Sequence, residues 1–413
     1  MRILVHPNDL VLGGASLNAV QLAASLQHRG HDVLVASPEG DLSTYVEQVG
    51  LRHAVTLFAH GRRPEKSTIR SLRVIVESFR PDIVHSWEFG AYLNSFFGLA
   101  RSGLPQLATV MSMSKPRYLP RTVPLTMGTK ALVRAASTTH KAPVMLLEPP
   151  IDVLAEVCSV REVRLLRNSL GLCAGEPTIG IVSRLAKEMK AEGIQDAIAA
   201  VGHLARGRSL QMLIVGSGDG EGELTAAAAA VNAAAGRRVV HMAGALPDPR
   251  AAYQLSDIVI GMGSSVIRGM AFAKPCVVVG VNGFVKLVSP ETFAHFDQHG
   301  MWGDGASADR PEALTAMLGG LLDDAKERQR LGTWGRQVVK ERYGLSAATL
   351  TLERHLVDAI CYQRHLGVDA REAALTLIKT GPRFVRAPVT VPRAVAGRLR
   401  ARGGNAQGPP CAD

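Results

Sequence analysis

The sequence predicts an α/β protein made of two doubly wound parallel-sheet units in series. Three observations carry that reading. Short apolar runs alternate with segments of helical period from Arg2 to Val110, and the same alternation restarts from Thr178 to Val279. Between them, Glu148-Pro149-Pro150-Ile151-Asp152 must be extended, because a residue before proline avoids the helix. At 413 residues the chain is long enough for two cores of ordinary size.

In order, Arg2–His6 reads as a strand, Ser16–Arg29 as an Ala- and Leu-rich helix, and Asp32–Ser37 and Ala54–Leu57 as strands. A helix over Ser67–Phe79 sets Leu72, Ile75, Val76 and Phe79 on one face, and strands follow at Asp82–His85 and Gln106–Val110. In the second half, strands at Thr178–Val182, Gln211–Val215, Arg238–Met242, Asp257–Gly261 and Cys276–Val279 alternate with helices at Ile194–Ala205, Glu223–Ala235, Ala251–Leu255 and Val266–Ala273. Crossovers of this length pair strands in parallel and cover both sheet faces. The break between the units falls between Glu148 and Pro177. In such sheets ligands bind outside the carboxyl ends of the strands, so function is expected just after Val5, His85, Val110, Val182, Val215 and Gly261.

Composition narrows the classes. The chain is 46% hydrophobic and 20% charged, as in an ordinary globular protein. Its apolar runs are far shorter than the roughly 20 residues that span a bilayer, and the start lacks a signal-peptide apolar region, so the expected compartment is the cytoplasm. Five scattered cysteines without a C-x-x-C pair suggest packing thiols rather than disulfides or a zinc site. Of the formal charge of +11, residues 379–413 supply +6 and the body about +5. No helix-turn-helix, finger or aromatic-basic signature accompanies it, so nucleic acid is not an expected partner.

Several segments at strand ends carry chemistry. Gly13-Gly14 lies between the first strand and helix, where backbone N–H groups and a helix dipole face an anion if one is present; a plain turn is the alternative. Gly216–Gly222 fails the dinucleotide fingerprint, since Glu221 stands in place of the third glycine, and reads as structural. Arg184 and Lys190 follow the strand Thr178–Val182; a planar fork and a point charge together suit a diphosphate, while two solvated side chains are the alternative. Gly263-Ser264-Ser265 opens a helix with small residues and an expected Ser cap.

Taken in order, Gly13-Gly14-Ala15, Pro81–Trp87, Val182-Ser183-Arg184-Leu185 with Lys190 and Gly193, Leu213–Gly218 and Gly269–Val278 resemble the GT-B glycosyltransferases of the group-4, glycogen-synthase-like class, over roughly residues 1–355. The resemblance implies two Rossmann-like domains facing a cleft. It also implies a nucleotide-diphospho-sugar donor, UDP- or GDP-linked, and transfer to an acceptor hydroxyl with retention and without metal or cofactor. By position, Arg184 and Lys190 would hold the diphosphate, Gly13 and Gly14 would approach it from the other domain, and Gly263, Ser264 and Ser265 would supply amides near the ribose and phosphates. On the same reading residues 1–150 form the acceptor-side domain and 151–355 the donor domain. A helix over 356–378 packs back on the first domain, and 379–413 is a basic tail without fixed structure, a candidate for peripheral contact with anionic lipid at the inner membrane surface.

The chain departs from the family at three places. The two family glutamates eight apart fall on Ile260 and Arg268, and the Thr-x-His histidine falls on Met111. Arg268 is either a third phosphate cation or structural. The acceptor side is expected around His85, Trp87, Met111 and Ser112, within Trp87–Phe89 and Met111–Tyr118; Trp87 is either an aromatic platform or core. Two other functions are compatible with the same architecture: a degenerate nucleotide-binding or accessory protein, motivated by the missing carboxylates, and a sugar-nucleotide epimerase, which would need acid–base groups for which His85 is the clearest candidate.

Overall fold

The computed structural model describes residues 1–57, 64–100, 102–113, 118–305, 310–362, 369 and 371–376. The basic stretch 379–413, residues 114–117 of the acceptor-side segment, and 363–368, 370, 377 and 378 of the helix expected over 356–378 lie outside the described residues.

The first sheet comprises β1 (Arg2–Pro7), β2 (Asp32–Ser37), β3 (Arg52–Val55), β4 (Ile83–Trp87), β5 (Gln106–Val110), β6 (Leu125–Met127) and β7 (Val144–Leu146). They lie in the order β3-β2-β1-β4-β5-β6-β7, with every pairing parallel. Its helices are α1 (Gly14–His28), α2 (Ser43–Gln48), α3 (Lys66–Phe79), α4 (Glu88–Gly98) and α5 (Lys130–Ser137). The third strand is shifted from the expected Ala54–Leu57, and Val55 and Leu57 are exposed, as on a sheet edge.

After α6 (Val160–Leu170), the second sheet comprises β8 (Thr178–Val182), β9 (Gln211–Val215), β10 (Val240–Gly244), β11 (Ile258–Gly261), β12 (Cys276–Val279) and β13 (Val285–Leu287). Their order is β10-β9-β8-β11-β12-β13, with only β13 antiparallel. Its helices are α7 (Glu192–Leu204), α8 (Glu221–Ala235), α9 (Arg250–Leu255), α10 (Ser264–Ala271), α11 (Phe293–His299), α12 (Arg310–Asp323) and α13 (Ala325–Arg342). Each sheet is thus a doubly wound Rossmann-like layer with its own apolar core. One is built around Ile3, Val5, Leu22 and Val35, the other around Ile179, Ile198, Met212 and Ile260.

The chain crosses between the sheets twice, side by side. Ile151 N–H donates to Tyr343 O (2.7 Å) and Leu345 N–H donates to Ile151 O (3.0 Å). Arg342 meets Glu148 (2.6 Å) and Asp297, and Asp297 also takes Lys130 of α5 (2.9 Å), so one arginine gathers both crossings and both units. From there α14 (Leu345–Cys361) packs on α1, burying Leu352, Leu356 and Ala359, so the return to the first unit begins before residue 355. Glu372 completes the return: it is buried against Arg121 (2.6 Å) and Lys141 (2.7 Å), which hold its carboxyl down at about 2. Among the described cysteines only Cys276 is buried; Cys173 and Cys361 are exposed, which corrects their reading as packing thiols.

Candidate functional site

At the carboxyl end of β8 the chain turns through Ser183-Arg184-Leu185 and a kinked turn over Lys187–Ala191. Met189 has φ +70° there, and the kink turns Lys190 back so that its Nζ donates to Ser183 Oγ (3.0 Å). Burial, and then the neighbouring Arg184 charge, bring the Lys190 pKa down to about 8. Arg184 is exposed, and its guanidinium has no hydrogen bond or ion pair among the described residues, while its carbonyl accepts from Ser183 Oγ (3.2 Å) and Ala186 N–H (3.0 Å). Lys187, by contrast, is held by Glu223 (2.6 Å). The strand end therefore presents one unpaired guanidinium and one half-buried ammonium whose charge an anion would secure.

This loop is stapled to the next one. Ser183 N–H donates to Val215 O (2.9 Å), Leu185 N–H to Ser217 O (2.9 Å) and Gly220 N–H to Leu185 O (2.8 Å). Gly216 has φ +141°, and a Cβ on it would lie 1.8 Å from Ser183 O. The Gly216–Gly222 run thus serves close packing of two loops.

Gly13 and Gly14 are exposed at the start of α1, and a Cβ on Gly14 would lie 2.9 Å from Ser264 Oγ. The N-termini of α1 and α10, from different sheets, therefore face each other at close range, and both bring partial positive charge to the gap. The expected Ser cap on α10 is absent: Gly263 (φ +64°) is the cap residue, and Ser265 Oγ donates to Met262 O (2.9 Å). Gly263 N–H is already spent on Met301 O (2.6 Å), so of the three expected amides those of Ser264 and Ser265 remain at the helix start.

Arg268 does not join this group. Its Nε lies 2.8 Å from Glu156 Oε1, a buried carboxylate in the segment following the first crossing. Burial pushes Glu156 up, opposed by Arg268 and Arg250. The guanidinium is thus committed to an intramolecular partner.

On the acceptor side the structure corrects two assignments. β4 lies between β1 and β5, with helices over both faces, and every residue of it is buried. His85 and Trp87 are each 1% exposed, so neither ring lines an open surface. His85 Nε2 is 2.6 Å from Thr109 Oγ1, and burial, with a smaller contribution from His355, holds its pKa down to about 3. A neutral imidazole buried in this way is no acid–base group for a reaction near neutrality. Met111 and Ser112, just past β5, stay half-exposed. The residue that reaches them from β4 is Glu88, the first of α4. Its Oε1 accepts from Met111 N–H (2.7 Å) and Ser112 N–H (3.1 Å), and its Oε2 accepts from Ser112 Oγ (2.7 Å).

Comparison with known proteins decides the family. Residues 12–141 match the model of Glycosyltransferase Family 4, and residues 176–324 that of Glycosyl transferases group 1. The chain is a GT-B glycosyltransferase of the group-4-like class. No curated protein matches it. Among solved structures it is similar to a glycosyltransferase from Rickettsia africae (TM-score 0.69, 14% identity, 88% of this chain and 99% of that one). It is also similar to HepE from Anabaena in complex with UDP-glucose (TM-score 0.68, 16%, 87% and 100%). A third is sucrose-phosphate synthase from Thermosynechococcus elongatus (TM-score 0.67, 15%, 87% and 100%). At these identities the likeness is one of fold.

In this glycosyltransferase the structure brings Arg184 and Lys190 together at one strand end, and Gly14 and Ser264 together across the two sheets. Glu156 escapes sequence reasoning altogether, while Ser183 and Glu88 enter it only as members of the motifs Val182–Leu185 and Trp87–Phe89, without a role of their own. A serine beside Arg184 carries no signal of its own, and Glu156 lies 112 residues from the arginine it pairs with. Glu88 alone had a usable one, a charged residue directly after an apolar strand.

Proposed function

We propose that this glycosyltransferase moves a sugar from a UDP- or GDP-linked donor to an acceptor hydroxyl, with retention of anomeric configuration and without metal or cofactor. The observation that supports it best is the placing of exposed Arg184 beside half-buried Lys190 at the end of β8. As the glycosidic bond breaks, negative charge grows on the diphosphate. A fixed guanidinium and an ammonium beside it stabilise that charge without reorganising, the role a metal plays elsewhere. The helix starts at Gly14 and Ser264 add two dipoles from opposite sides of the gap. An acceptor hydroxyl attacking from the leaving-group face needs no protein nucleophile. Uridine nucleotides are supported by the UDP-glucose held in the HepE structure that the chain resembles.

In this reading residues 1–150, with α14 packed back on them, form the acceptor-side unit and residues from 151 to the second crossing form the donor unit, hinged where Ile151 meets Gly344. Closure about that hinge limits donor hydrolysis by excluding water. The acceptor belongs to polysaccharide, envelope or specialised-metabolite glycosylation, in the cytoplasm, with contact at the membrane surface through the basic tail. Among the described residues no helix is long and apolar enough to cross a membrane.

One observation favours a second reading, a GT-B protein that binds nucleotide without turnover. At position 268, where the resemblance implies a glutamate, an arginine is committed to Glu156. An epimerase has less support, since its best acid–base candidate, His85, is buried and held down to about 3. Donor consumption measured with and without EDTA tests the metal-free reading. Rates are expected to agree within about twofold, because the two cations already occupy the metal's place. Loss of turnover on chelation, restored by Mn²⁺ or Mg²⁺, would contradict it.

A further inference from the structure

The carboxyl end of β4 holds a feature that donor binding does not use. Glu88 sits at φ +67°, in the left-handed region that side chains other than glycine rarely adopt. Such a conformation persists only where its surroundings over-determine it, and it concentrates at functional sites. Here the determinant is visible: all three hydrogen bonds of the carboxylate go to one dipeptide, Met111-Ser112, at the end of the neighbouring strand β5. The parallel register, with Trp87 opposite Thr109, sets Glu88 beside the start of that loop.

Glu88 also has a neighbour in the other loop at this sheet edge. Asp9, just past β1, acts on Glu88 as a like charge. Asp9 accepts from Val11 N–H (3.2 Å) and from Ser16 Oγ (3.3 Å) in α1, and so braces the loop that carries Gly13 and Gly14. Two carboxylates at adjacent strand ends thus each fix one cleft-side loop. Asp9 serves the loop that approaches Ser264, and Glu88 serves the one bearing Met111 and Ser112. Burial pushes Glu88 above the usual carboxylate range, against the pull of its three hydrogen bonds, so the clamp is kept despite a desolvation cost.

We propose that Glu88 is the positioning residue of the acceptor side: it holds the Met111-Ser112 backbone in the one conformation that receives the acceptor hydroxyl. This rests on the transfer reading above. It moves acceptor recognition away from buried Trp87 and His85 to a loop whose geometry a carboxylate sets from the next strand.

Three variants test it. Glu88→Gln keeps the clamp, since the amide oxygen still accepts both N–H groups and its NH₂ donates to Ser112 Oγ. Glu88→Ala removes the clamp, and Ser112→Ala removes one of its three bonds. Amide exchange at Met111 and Ser112 reads the positioning without any turnover, so its failure falls on Glu88 and not on the transfer reading. Exchange is expected to be at least about tenfold faster in Glu88→Ala than in wild type and restored by Glu88→Gln. In turnover, Glu88→Ala should raise acceptor KM by about tenfold or more and leave donor KM within about twofold, since small misplacements of a positioning group are costly. Ser112→Ala should move acceptor KM in the same direction by less, which keeps the test decisive if Glu88→Ala does not fold. Unchanged exchange in Glu88→Ala, or donor and acceptor KM rising together, would overturn the proposal.

Discussion

Lys190→Ala is expected to weaken nucleoside-diphosphate binding by tenfold or more in calorimetry. Truncating one partner of a buried charge-assisted contact costs about 2–5 kcal/mol, and Lys190 is the more buried of the two β8 cations. The Lys190 pKa of about 8 adds a pH signature. A bound diphosphate raises that pKa, so binding takes up a proton above about pH 8. Wild-type affinity should therefore be level below that pH and fall by up to about tenfold per unit above it. In Lys190→Ala the slope should vanish together with the affinity. Equal affinity in the two proteins would remove Lys190 from the donor site.

Arg268→Ala is expected to cost stability rather than donor affinity. Its guanidinium compensates Glu156, which is 5% exposed, and removing one partner of a buried pair typically costs about 3–5 kcal/mol. Glu156 can escape part of that cost by taking a proton, and its folded-state pKa, already raised, would rise further. A carboxyl with a raised folded pKa loses stability as pH climbs from its unfolded value through its folded one, so the deficit should be larger at pH 8 than at pH 5. Adding Glu156→Gln to Arg268→Ala should recover part of it. Urea denaturation at the two pH values checks the stability change and calorimetry the affinity. If Arg268→Ala is fully stable yet blind to UDP and GDP, Arg268 is a phosphate ligand after all.

The contrast between these two basic residues shows what the sequence made legible. Lys190 and Arg184 sit just past an apolar strand, and in a doubly wound sheet that place is enough to bring them to a ligand. Arg268 also follows a strand end, but its partner arrives from the crossing segment, a contact no local pattern encodes. His85 and Trp87 show the cost of a boundary error. The strand expected at Asp82–His85 runs to Trp87, and because β4 is covered on both faces, only the residue after its end escapes the core. That residue is Glu88, strained and clamped to β5. The three-residue strands β6, β7 and β13 are too short for any periodicity to show. The strands of four residues or more and the helices α1, α3, α7, α8, α9 and α10 were readable to within a few residues, whereas α4, α6, α12 and α13 were not assigned and α14 lies earlier than the helix expected over 356–378.

The measurement that bears most directly on the central claim is a time course by NMR of one UDP- or GDP-sugar with a candidate acceptor hydroxyl, in EDTA. The account predicts that free nucleoside diphosphate and glycosylated acceptor appear one for one, slowly without acceptor and much faster with it, and that the product keeps the donor's anomeric configuration. A protein that UDP or GDP stabilises against heat but that leaves every donor intact with acceptors present would contradict it, and would make this GT-B chain a binder instead of a catalyst.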